Sequence, residues 1–233
     1  MSTKKKIFLV LGFIVIDIFL VVLFFTIRDN VMLNSLKKEV NQLNKLDVTK
    51  DRYNRKIVTK GGYAIVETAI KEYLDDYAVL LQDSLEVVKN PELTKILSYD
   101  NYVNDGPDFV KSLDYLNKNK ESFNKNIDLL LSDLEEDKIK NYINDKTDSE
   151  YYRELYVEFM LNDDMMDSFT DTKKLLTHTK AQMNNIYDTS IEVLTFLSNN
   201  KENWKVEDGE IKFLEEDLFN QYNSLISKLK VTE

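Results

Sequence analysis

Apolar residues recur at alternating steps of four and three along most of this chain, and very little in it can interrupt the helices that such a spacing builds. Only 5 Gly and 2 Pro occur among 233 residues. Folds made of many turns, and loops that cradle phosphate, need residues that reach positive φ. What remains is an all-α chain.

The repeat is clearest in three stretches. Val66, Ile70, Tyr73, Tyr77, Leu80, Ser84 and Val87 mark one helix over 63–89, with Leu74, Leu81, Leu85 and Val88 widening its buried face. Phe109, Leu113, Leu116, Phe123, Ile127, Leu130 and Leu134 mark a second, broken only by Lys120. Met165, Phe169, Thr172, Leu176, Thr179, Met183, Ile186, Ser190, Val193 and Leu197 mark a third, from about Asp163 to Ser198. Shorter helices are expected after Asn90-Pro91, around Ile139 to Ile143, and from a cap at Asp148 or Ser149 through Tyr152, Leu155, Tyr156 and Phe159. Residues 99–106 read as a polar loop, with Pro107 opening the second long helix. Toward the end the period changes to alternation in Trp204-Lys205-Val206 and Ile211-Lys212-Phe213 around Asp208-Gly209, which predicts a β-hairpin over 203–213. A last helix is expected from Leu214 to Leu229. Four-three spacing favours near-parallel helix packing, so the expected fold is an antiparallel helical bundle with the hairpin at one end.

A different pattern occupies the N-terminal part. Residues 7–27 form a run of 21, of which 18 are Ile, Leu, Val or Phe. As a helix the run would span roughly 31 Å, the thickness of a hydrocarbon core. Lys4, Lys5 and Lys6 precede it, and no small-x-small cleavage site follows. The expectation is a signal anchor with residues 1–6 in the cytoplasm and residues 28–233 outside it. Leu33, Leu36, Val40 and Leu43 predict a helical coiled-coil-like stalk within a juxtamembrane segment and linker, 28–62, before the bundle of 63–233. Gly12 and Asp17 have the spacing of a type IV prepilin cleavage pattern, which these six residues resemble. A prepilin leader is polar up to that Gly, whereas Ile7 to Leu11 are apolar here.

Asp17 lies mid-span. A carboxylate there costs about 3 kcal/mol on the insertion scale, offset by apolar residues at roughly 0.3–0.6 each. Its expected use is a polar contact with another membrane helix, either of a partner protein or of a second copy in a homodimer; the bland alternative is a protonated Asp bonded within its own helix or a tolerated substitution.

Composition narrows the chemistry further. Cysteine is absent and His178 is the sole histidine, which excludes thiolate chemistry, a disulfide scaffold and a His-rich metal site. His178 has no ordered acid or nucleophile beside it in sequence. The acidic groups Asp75-Asp76, Glu135-Glu136-Asp137 and Asp163-Asp164 with Asp167 read as solvated helix faces as well as loose Ca²⁺ ligands. Asn101 to Asp108 fails as a calcium loop, because registering Gly106 at the sixth position puts Val103 at the third. No catalytic residue, cofactor or metal is therefore expected. Residues 28–233 keep 28 basic and 40 acidic groups, a formal charge of −12 that opposes nucleic acid. The 27 Lys against 4 Arg, with 22 Asn and 4 Ala, are the usage of AT-rich codons and point to a low-GC bacterium.

Two functions fit these features. The first is a membrane-anchored extracytoplasmic protein acting by protein–protein interaction in the cell envelope. The second is a helical ligand-sensing module that signals through a separate membrane partner, with Thr172, Thr179 and Ser190 lining a small polar pocket in the bundle. A filled core beside those three favours the first.

Overall fold

A computed structural model describes residues 26–43 and 55–229. The expected cytoplasmic tail, Asp17 and all of the apolar run except Thr26 and Ile27 lie outside the described residues, as does 44–54 of the expected linker. Among the described residues no helix is long and apolar enough to cross a membrane.

The fold is mostly helical, at 78%, with one small two-stranded antiparallel sheet near the C-terminus. Helix α1 covers 26–43. It is followed by α2 (Gly62–Lys89), α3 (Pro91–Lys95), α4 (Tyr99–Asn104), α5 (Val110–Asp133), α6 (Glu136–Asn144), α7 (Glu150–Met160), α8 (Asp163–Asn199), the strands β1 (Trp204–Glu207) and β2 (Glu210–Phe213), and α9 (Glu216–Ser227). The chain forms two compact units: 1–75 with 139–162, and 76–138 with 163–233. The boundary at 75/76 falls inside α2, whose apolar face is buried at Val66, Ile70 and Tyr73 but only half-buried at Leu74, Leu81, Leu85 and Val88.

In the first unit α1 is a packed helix. Leu36, Val40 and Leu43 are buried, and Glu39 reaches Lys71 of α2. Ile139 and Ile143 of α6 and Leu155, Tyr156 and Met160 of α7 complete the apolar core, where the Tyr156 hydroxyl donates to the Ile139 carbonyl at 2.9 Å.

The second unit is built on α5 and α8. Their antiparallel register can be read from polar pairs flanking the core: Lys120 with Asp188, Asn124 with Asn184, Asp128 with Lys180, and Glu135 with Lys173. Steps of four and four residues up α5, and of seven more to Glu135 just past its end, match equal steps down α8, as side-by-side helices require. Lys120, the one break in the α5 stripe, is thus part of this edge. Along the same two segments Leu116, Phe123, Ile127, Leu130, Phe169, Leu176, Met183, Val193 and Leu197 are all buried.

The expected hairpin forms, with Trp204 opposite Phe213 and Glu207 opposite Glu210. Asp208 and Gly209 both take positive φ, at 55° and 76°, as a tight turn matched to strand twist demands. Trp204 stacks on Phe109 at 6.0 Å and donates to the Leu197 carbonyl, while Tyr102 and Tyr222 share a hydrogen bond at 3.1 Å. One expectation is corrected here. Residues 99–104 are helix α4 rather than loop, because Ser98 caps the turn through the Asn101 amide and Tyr102 is buried against this aromatic cluster. The second long helix accordingly begins at Val110, not Pro107, after Phe109 takes a left-handed conformation at its N-cap.

Candidate functional site

The structure separates the side chains the sequence grouped. Thr172 and Thr179 are half-buried and Ser190 is buried, all on α8. Eighteen residues of continuous helix part Thr172 from Ser190, about 27 Å, so one small pocket cannot hold all three. Their neighbours Leu176, Met183 and Val193 are buried apolar residues of the core. His178 is exposed beside an open surface depression that it shares with Thr170, Lys173, Lys174, Thr177 and Ala181, all of α8 itself. Among the described residues no group of three or more His, Asp or Glu is placed to hold a metal ion. In the acidic clusters, Asp75 pairs with Arg55 at 2.8 Å and Glu135 with Lys173. Asp105, in the segment tested as a calcium loop, caps α5 by accepting from the Ser112 and Lys111 amides. Burial opposes its charge, yet those hydrogen bonds hold its carboxyl below the ordinary value.

The first unit contains what the sequence did not signal. Glu67 is 1% exposed and Lys71 3%, one helical turn apart and paired at 2.8 Å. The Lys71 ammonium also donates to Glu39 of α1 at 2.7 Å and to the Lys56 carbonyl at 2.9 Å. The Glu67 carboxylate accepts from the Val58 amide and from the amide and hydroxyl of Thr59. Burial pushes the Glu67 carboxyl up, but Lys71 and the Thr59 and Val58 donors outweigh it and leave it below its ordinary value. This network ties α1, α2 and segment 55–60 together. Both charges carry several partners, as ions withdrawn from water must.

Beside the start of described α1 lies a pocket of about 440 Å³, lined by Thr26, Asp29, Asn30 and Leu33 of α1, Tyr63 of α2, and Tyr151 and Tyr152 of α7. The three rings stand nearly perpendicular to one another: Tyr63 and Tyr152 at 5.4 Å and 80°, Tyr151 and Tyr152 at 5.1 Å and 72°, Tyr63 and Tyr151 at 6.4 Å and 84°. The Tyr63 and Tyr151 hydroxyls share a hydrogen bond at 3.2 Å. Gly62 lets this corner form, since a Cβ there would overlap the Tyr152 ring. Burial first, then Tyr151 and Asp29, drive the Tyr63 hydroxyl well above its ordinary value, so it stays protonated. A smaller pocket of about 170 Å³ shares Leu33 and Tyr151 and adds Lys37, Glu154, Leu155 and Glu158. The sequence places Tyr63 as the first residue of a helix and Tyr152 among the apolar positions of another, which is how core residues look; nothing local announces that they meet.

No protein-family model matches the chain, and no curated protein or solved structure is detectably similar to it.

Proposed function

We propose that the chain is a single-pass membrane-anchored protein whose helical portion lies outside the cytoplasm and acts by binding another protein of the cell envelope. The observation that carries this reading is the course of α1. Its described part begins at Thr26 and Ile27, the last residues of the apolar run, and its stripe at Leu36, Val40 and Leu43 is buried within the first unit. An anchor at 7–27 would therefore be joined to the folded unit through a helix that is exposed over 26–31 and packed from Leu36 onward. The burial of the apolar side chains Leu176, Met183 and Val193 along α8 supports binding by surface over binding inside the second unit.

The test is topology followed by association. External protease on intact cells should remove 28–233 and spare the first residues; a chain protected until lysis would overturn the orientation. In the native membrane, Asp17→Leu should keep insertion while weakening cross-linking to a membrane partner or second copy. Interhelical bonds of this kind average about 0.6 kcal/mol, enough to bias an association but not to create it. A ligand-sensing role is the second reading, and the tyrosine pocket beside α1 favours it.

A further inference from the structure

The pocket beside α1 has a definite chemical character. Among its described lining residues Asp29 is the one ionised group, and none of them is Lys, Arg or His. The charge of Arg28, on the neighbouring position, reaches the Tyr152 hydroxyl, although Arg28 is not among the described residues that line the space. An anion entering would face the Asp29 carboxylate. A neutral apolar ligand would strip water from Asp29 and Asn30 and return nothing to them. A cation gains from both kinds of wall, from the carboxylate by charge and from the tyrosine rings by their negative faces. Tyr63, Tyr151 and Tyr152 pack edge to face on one another and all three line the space, so an ammonium group there meets aromatic surface as well as charge. The volume of about 440 Å³ falls within the range of small-ligand sites and exceeds what a bare metal ion needs. The adjoining pocket carries Glu154 and Glu158 against Lys37, so the approach past Tyr151 is also acidic in balance.

We propose that this pocket binds an organic ammonium ion, with its charged head against Tyr63, Tyr151 and Tyr152 and Asp29 as its counter-ion. The assignment goes beyond the partner-binding reading and does not rest on it: binding is measured directly, so either can fail while the other stands. An ammonium group can arrive on a soluble amine or on a lipid headgroup, and the same pocket chemistry serves both.

The experiment is calorimetric titration of the full-length protein in a maltoside detergent, which carries no ammonium group, with tetramethylammonium chloride. Sodium chloride at equal ionic strength and a neutral tert-butyl alcohol are the controls. Saturable one-site binding is expected, at least tenfold tighter than the neutral compound. Asp29→Asn should weaken it at least tenfold, and so should Tyr152→Leu, while Tyr151→Phe, which keeps the ring, should stay within about threefold. Asp29 is exposed, so its variant tests the charge without touching the core, and unchanged circular dichroism confirms the fold. No saturable binding by the parent, equal binding of the neutral compound, or undiminished binding by Asp29→Asn would each overturn the proposal. Once binding is established, nanodiscs assign its source. An apparent affinity lowered in phosphatidylcholine but not in phosphatidylglycerol discs marks a headgroup as occupant, and equal affinity in both marks a soluble amine.

Discussion

Lys71 places an ammonium group that is 3% exposed within 2.9 Å of Glu39, Glu67 and the Lys56 carbonyl. Removing one member of a buried charge set strands the others, which typically costs about 3–5 kcal/mol. Lys71→Met should therefore lower the unfolding free energy of the first unit in urea by that order, because two carboxylates lose the charge between them. A loss under about 1 kcal/mol would mean that the network is not holding the unit. Glu67 predicts the pH behaviour. Its carboxyl ionises below the ordinary value of 4.5 in the folded chain, so its contribution is fully present above that value and is lost as pH falls through the folded one. Thermal melts of Glu67→Gln should lack part of the acid limb of the parent; an identical limb would assign it to other carboxylates.

The element that most rewards dissection is the α5–α8 pair. Asn124 and Asn184 exchange side-chain hydrogen bonds, each donating to the other's Oδ1 at 2.9 Å, and both are half-buried. Either one changed to Leu leaves a half-buried amide without that partner, at about 1–3 kcal/mol. Replacing both should cost clearly less than the sum, since no amide is then stranded. The double-mutant cycle in urea should show a coupling of at least about 1 kcal/mol, and strict additivity would deny that the exchange carries energy. The exposed ion pairs on the same edge are expected to contribute little individually and to act on register. The helices themselves were readable from apolar spacing because burial on one face repeats with helical period. Helix α4 was not, since its sequence offers only Tyr102 to the core and six residues are too few to show a period.

At the scale of the whole molecule, the first unit needs α1. Burying Leu36, Val40 and Leu43 stabilises by roughly 5–9 kcal/mol before entropy is counted, which is comparable to the stability of an ordinary domain. A fragment starting at Gly62 also loses Glu39 and segment 55–60. In hydrogen exchange it should lose protection over 63–75 and 139–160 while α5 and the paired part of α8 keep theirs. A fragment starting at residue 26 should retain both. Equal protection in the two fragments would show that α1 contributes nothing to the unit it packs in.

Helical class, the hairpin and its Asp208-Gly209 turn, and the faces of α5 and α8 follow from the sequence by itself. Each depends on a local rule: the period of apolar residues, the capacity of Gly for positive φ, and the scarcity of Gly and Pro elsewhere. The sequence reading also excluded thiolate and His-rich metal chemistry, because residue types that are missing need no geometry to rule out. What only the tertiary structure decided is who meets whom. Thr172, Thr179 and Ser190 share a stripe in sequence, yet a rigid helix holds the ends of that set too far apart for one small pocket. Tyr63, Tyr151 and Tyr152 lie 88 and 89 residues apart across the chain, yet α2 and α7 bring them into one corner beside Asp29. Glu67 and Lys71 look like an ordinary surface pair one turn apart, and become buried because α1 and segment 55–60 close over them. Periodicity fixes which face of a helix turns inward; it carries no information about which other helix will cover that face.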